Sequence, residues 1–145
     1  MYYMLNKTMK GDPMKLYLDD IRNPHQSGYK DNEWIVCRND KTFKDMFTSF
    51  DSVITHISFD HDISSYDENG DEVTGYTLVK WLCDYILDND LDISNLTLSF
   101  HTANVVGKEN MVCYWDNFRE HYEGNYAIQK PPIDEKPSEL REVKH

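Results

Sequence analysis

The chain is poor in positive charge. Of its 145 residues, 15 are Lys or Arg and 26 are Asp or Glu, a formal net charge of −11. A protein that coats duplex nucleic acid needs a basic face to neutralise phosphates, so that class is excluded. Docking on an anionic membrane surface is excluded for the same reason. No apolar run approaches the roughly 20 residues of a membrane span. Residues 1–10 contain no apolar core of the secretory-signal kind. Cysteine is also scarce: Cys37, Cys83 and Cys113 are odd in number and far apart. That argues against a disulfide framework or a zinc site, and for three buried thiols in a reducing compartment. A cytoplasmic location is the expectation. There is no internal repeat and no low-complexity segment.

What is present suits one globular domain. Apolar residues make up 39% and aromatics 13%, too many for a disordered chain, and the length fits a single domain. Residues 1–13 read as a flexible extension, 14–132 as the domain and 133–145 as a polar tail. Lys15-Leu16-Tyr17-Leu18 is a strand running into Asp19-Asp20. Trp34-Ile35-Val36-Cys37-Arg38 is a second strand, continuously apolar as for one buried on both faces. Asp40 reads as the N-cap of a helix whose Phe43, Met46, Phe47 and Phe50 share one face. A third strand through Ile57-Ser58-Phe59 ends at Asp60-His61-Asp62. After a polar loop with an Asn69-Gly70 turn, Thr74 opens a helix with the stripe Leu78, Leu82, Tyr85 and Ile86. Leu96-Thr97-Leu98-Ser99-Phe100 is a fourth strand. Met111, Tyr114, Trp115 and Phe118 mark a third helix, and Tyr126-Ala127-Ile128 a weak fifth strand before Lys130. This alternation predicts an α/β fold: a three-layer, mainly parallel five-stranded sheet. The first crossover has little room for a helix.

The polar clusters gather at strand ends. In an open parallel sheet, ligands bind outside the carboxyl ends of the strands, so groups far apart in sequence converge there. Asp19, Asp20, Asp60 and Asp62 are oxygen donors suited to Mg²⁺ or Mn²⁺; helix capping and solvated surface are the bland alternatives. His61 and His101 lie in equivalent strand-end clusters, and imidazole titrates near neutrality, so one ring can take a proton while the other gives one. Either can instead bind a metal, or be structural. Arg22 can fork onto a phosphate or form a surface ion pair. Thr102 and Asn104 cap the following helix or mark an anion site at its N-terminus, with Lys108 in its first turns. His25, His56, His121 and His145 read as surface residues. The run from Asp67 to Asp71 lacks calcium-loop spacing and reads as a solvated loop, in position for a lid.

These residues resemble a receiver domain of the flavodoxin-like fold with its first helix reduced. The matching features are Asp19-Asp20 after the first strand, Asp60 after the third, Thr102-Ala103 after the fourth and Lys130-Pro131 after the fifth. That resemblance implies Mg²⁺ on the acid pair, phosphoryl transfer to Asp60, and contacts from Thr102 and Lys130. A closer resemblance is to the cyclic-phosphate processing receiver domain of bacteria and their phages. It rests on Leu18-Asp19-Asp20-Ile21-Arg22-Asn23-Pro24, Ser58-Phe59-Asp60-His61-Asp62, Thr74-Gly75-Tyr76, Ser99-Phe100-His101-Thr102-Ala103-Asn104 and Gly107-Lys108-Glu109-Asn110-Met111, and covers residues 14 to about 118. It implies action on a cyclic phosphate, an RNA 2′,3′-cyclic end or a cyclic nucleotide, in the cytoplasm of a bacterium or phage host.

The expectation is then a metal-assisted phosphoesterase. Its catalytic residues are His61, His101 and Asp60, its metal ligands Asp19, Asp20, Asp60 and Asp62, and its phosphate-binding residues Arg22, Thr102, Asn104, Lys108 and Lys130. The partner is a small phosphorylated ligand or an RNA end. The alternative is a non-enzymatic signalling or nucleotide-binding module with Asp60 as phosphoacceptor. A fold-only interaction protein is a third reading. Oligomeric state stays open.

Overall fold

The structure is a computed structural model and describes residues 12–31 and 33–129. The apolar runs form the strands β1 (Met14–Leu18), β2 (Trp34–Cys37), β3 (Ile54–Phe59), β4 (Ser65–Tyr66), β5 (Glu72–Val73) and β6 (Thr97–Phe100). Three helices alternate with them: α1 (Asp40–Phe50), α2 (Gly75–Asn89) and α3 (Val105–Gln129). The main sheet has the order β2-β1-β3-β6 with every neighbouring pair parallel, and β4 and β5 form a separate antiparallel hairpin. The chain order reverses between β1 and β3, which is where an open sheet of this kind leaves a crevice.

Alternation along the strands sorts the two faces. Leu16 and Leu18, Ile35 and Cys37, and Ile57 and Phe59 turn to one side. There Phe43, Met46 and Phe47 of α1, Leu78, Leu82 and Ile86 of α2, and Met111 and Trp115 of α3 close over them as one core. Tyr17, Trp34, His56 and Ser58 turn to the other side. Among the described residues, that side is covered by the connection between β1 and β2, whose Tyr29 packs on Tyr17, Trp34 and His56. The connection contains a single 3-10 turn, Pro24–Ser27.

Several expectations need correction. Among the described residues the sheet has four parallel strands, and Tyr126-Ala127-Ile128 belongs to the last turns of α3. The apolar spacing Met111, Trp115, Phe118, Tyr122 continues one helical stripe, and no proline interrupts it before Pro131. The described helices all lie on one face, so the described residues make two layers rather than three. The N-cap of α1 is Asn39, which accepts from the Thr42 N–H at 2.9 Å, not Asp40. Cys37 and Cys83 are buried, and burial pushes both thiols up to about 12. Cys113 is exposed, because it lies two residues beyond Met111 and so turns to the opposite side of α3. His56 is a half-buried sheet residue with its ring 4.8 Å from that of Trp34. Lys130 and the tail lie outside the described residues. Among the described residues, no helix is long and apolar enough to cross a membrane.

Leu82, fully buried at the centre of this core, gives a direct check. Leu82→Ala should cost about 2–5 kcal/mol, read as a lower urea midpoint with an unchanged denaturant slope.

Candidate functional site

Asp19 follows β1 directly and is 1% exposed. The chain turns back onto its carboxylate: Oδ1 accepts from the Ile21 and Arg22 N–H groups at 2.9 and 2.8 Å. Oδ2 accepts from Arg22 Nε and His101 Nε2, both at 3.0 Å. Four donors therefore fill the two oxygens. Burial alone raises the Asp19 pKa, but the two backbone donors, His101 and the Arg22 charge together hold it below the ordinary carboxylate range. Arg38, at the end of β2, secures the turn by donating to the carbonyls of Asp19 and Arg22 and to Asn23 Oδ1.

Asp60 follows β3 and is 6% exposed. Its Oδ1 accepts from the His61 N–H at 2.8 Å and lies 3.3 Å from Arg22 Nη2. The Arg22 guanidinium thus spans the carboxylates of two adjacent strands. His101 follows β6, and its side chain is 4% exposed. Its Nδ1 pairs with Ser58 Oγ at 2.8 Å, and its ring stacks on Tyr17 at 4.3 Å and 7°. Burial lowers the His101 pKa, and Asp19 offsets this in part. The ligand atoms of Asp19, Asp60 and His101 all lie within 4.8 Å of one another.

The other histidine is built separately. His61 Nδ1 pairs with Asp62 Oδ1 at 2.9 Å, and this bond holds Asp62 below the ordinary range. Asn104 is the N-cap of α3: its Oδ1 accepts from the Gly107 N–H at 2.8 Å, while its Nδ2 lies 3.3 Å from Asp62 Oδ2. Thr102 Oγ1 accepts from the Asn104 N–H at 3.1 Å. Two glycines let the helices close on this segment. A Cβ at Gly75, the first residue of α2, would strike the Asp60 carbonyl oxygen, and the Gly75 N–H donates to the His61 carbonyl at 2.7 Å. A Cβ at Gly107 would lie 2.5 Å from His61 Cδ2 and 2.6 Å from Cγ.

The crevice therefore unites Asp19, Asp60, His101 and Arg22, with His61, Asp62 and Asn104 beside them. The two histidines share no partner. Asp20 is half-buried and Asp62 exposed, and neither belongs to the converging cluster. Thr102 and Asn104 serve as caps, and Lys108 is exposed on the first turn of α3. A cation would meet two buried carboxylates and an imidazole, a donor set that fits Mn²⁺ more closely than Mg²⁺. It would take the place of donors that Arg22 and His101 now supply. Sequence reasoning missed Ser58, Tyr29, Arg38, Gly75 and Gly107 as parts of this site. Ser58, Gly75 and Gly107 do lie in the motifs quoted above; nothing local marks Tyr29 or Arg38.

In comparisons with known proteins, the family model described as the cyclic-phosphate processing Receiver domain matches residues 14–117. No curated protein and no solved structure matches.

Gly107→Ala should cost roughly 1–3 kcal/mol, because the His61 ring has to move. Gly124→Ala, with open space around it, should be neutral or slightly stabilising. Urea unfolding compares the two, and the His61 ring resonances should shift only in the first. Acid should destabilise in two windows. His56 and His101 are held below the ordinary imidazole value of 6.5, so the unfolded chain takes up protons first and stability falls as pH drops below about 6.5. Asp19 is held below 3.8, so a second loss follows as pH falls from 3.8 through its folded value. In His101→Gln the upper decline should shrink.

Proposed function

The chain belongs to the cyclic-phosphate processing Receiver domain family, and on that premise we propose that it hydrolyses a cyclic phosphate at the carboxyl ends of β1, β3 and β6. The substrate class is an RNA 2′,3′-cyclic end or a cyclic nucleotide. The observation that carries this reading is the convergence of Asp19, Asp60 and His101 around the Arg22 guanidinium. Two carboxylates and one guanidinium leave the crevice with one net negative charge, and a phosphodiester carries another. Binding therefore requires a further positive charge. A divalent cation on Asp19 and Asp60, with His101 in reach, would supply that charge and polarise the phosphoryl oxygens.

The chain's own residues carry the rest. Arg22, with 35% of its side chain exposed, has the planar fork that matches two non-bridging phosphoryl oxygens. His61 donates Nδ1–H to Asp62 in its neutral form, which leaves Nε2 to take a proton from water. The water oxygen bonds to phosphorus, the bond to one ring oxygen breaks, and that oxygen takes the proton back from His61. Asn104 and Gly107 fix the His61–Asp62 pair. His101 is too buried to reach the substrate and holds Asp19. Lys108, exposed on the first turn of α3, adds positive charge.

The test is incubation with 2′,3′-cyclic nucleotides and cyclic dinucleotides, with and without Mn²⁺, with products identified by the mass of one added water. Turnover should require the cation and fall about 10²–10⁴-fold in His61→Ala. No turnover on any member of the panel, or undiminished turnover in His61→Ala, overturns the reading.

A further inference from the structure

Behind the crevice, a hydrogen-bonded chain passes from one face of the sheet to the strand ends. Tyr29 Oη lies 2.9 Å from Ser58 Oγ, Ser58 Oγ lies 2.8 Å from His101 Nδ1, and His101 Nε2 lies 3.0 Å from Asp19 Oδ2. Charge fixes the direction of every bond. An ionised Asp19 can only accept, so Nε2 carries the proton. A neutral imidazole then has a bare Nδ1, which must accept, so Ser58 donates to it. The Ser58 oxygen is left as an acceptor for the Tyr29 hydroxyl.

Ser58, His101 and Asp19 have the connectivity of a nucleophilic triad. Burial rules that role out, because Ser58 is 0% exposed and no substrate reaches its oxygen. The chain has a different use. A buried imidazole needs a partner on each nitrogen, and the Tyr17 ring fixes its plane but not its rotation. Among the described residues, only the Ser58 hydroxyl occupies the Nδ1 side. Should Nε2 instead face a cation, both hydroxyls can rotate, and His101 then donates Nδ1–H to Ser58. The same two partners hold the ring in either case.

We propose that Ser58 and Tyr29 are positioning residues of the site, holding the His101 imidazole against Asp19 from the far face of the sheet. The β1–β2 connection, which carries Tyr29, is thereby part of the functional apparatus. The consequence for catalysis rests on the hydrolytic reading above; the consequence for His101 does not.

Two variants and two measurements test this. Tyr29→Phe removes one oxygen from a half-buried ring and keeps its packing; Ser58→Ala removes the direct partner. Ring nitrogen shifts of His101, measured by long-range ¹⁵N–¹H NMR on the full chain in chelator, should show a single neutral Nε2–H form in the parent. Ser58→Ala should lose that single pattern, and Tyr29→Phe should shift it in the same direction by less. With a substrate that turns over, kcat should fall roughly 10–100-fold in Ser58→Ala with KM unchanged. His101 shifts that stay at the parent values in both variants overturn the proposal, whatever the rates do. If no cyclic phosphate is turned over, the hydrolytic reading fails and the NMR result alone decides this one. Should Ser58→Ala not fold, Tyr29→Phe decides by the same criterion.

Discussion

Two carboxylates with almost no solvent exposure, Asp19 and Asp60, end neighbouring strands, and the Arg22 guanidinium reaches both. Like charges this close repel, and each also loses hydration on burial. Either one carboxylate holds a proton or a cation stands between them. Arg22 is that cation, and its position explains much of the local structure. The turn after β1 must bring Arg22 back over Asp19, which the two backbone bonds to Asp19 Oδ1 accomplish. The turn must then stay put, which Arg38 ensures by capping its carbonyls. The first crossover is thus committed to an ionic structure where a helix would otherwise lie.

The other half of the crevice depends on close approach rather than charge. The segment Asp60-His61 is gripped between the first turns of α2 and α3, and only glycine fits where each helix touches it. Both helices direct their N-terminal ends at this segment, where their dipoles favour the negative charge of Asp60 and Asp62. Packing and electrostatics agree here, so the strand end is rigid as well as charged. A loop held in this way can present His61 in one orientation, with Asp62 holding the ring from the Nδ1 side and Asn104 Nδ2 donating to Asp62 in turn.

The strands and the polar groups at their ends were legible because burial writes itself as apolar runs and because topology carries strand ends to one edge. Asp19, Asp60 and His101 followed from that logic. Which of the acids converge with them did not. Adjacency in sequence does not decide it: Asp19 is buried and joins the converging cluster, while its neighbour Asp20 is half-buried and does not. His56 and Ser58 were hidden for a related reason: alternation shows that they leave the helix-covered core, but not that Tyr29 and Trp34 cover them from a loop. The supposed fifth strand failed because a short Tyr-Ala-Ile run fits a helix as readily as a strand, and the stripe starting at Met111 settled the matter only through longer spacing. Cys113 shows the same limit, since an apolar-looking segment can still turn one thiol to solvent.

The negative charge takes on a sharper meaning once the helices are placed. Residues 60–92 hold ten acids and one base, which in sequence looks like one acidic field beside the crevice. The structure divides it. Asp60 and Asp62 are in the site, and the hairpin acids Asp67, Glu68, Asp71 and Glu72 precede the start of α2. Asp88, Asp90 and Asp92 lie at the other end of that helix, whose 15 residues span about 22 Å at 1.5 Å per residue. At physiological salt the screening length is about 8 Å, so those distant acids contribute little at the crevice. They also stand at a helix C-terminus with no basic residue in its last turn, where negative charge is unfavourable. The field a phosphate meets is therefore set by Asp19, Asp60, Asp62 and the hairpin, against Arg22 and Lys108. Few charges decide whether an anion enters, and at the Asp19, Asp60 and Arg22 centre, with one net negative charge, a single divalent cation would reverse the local sign.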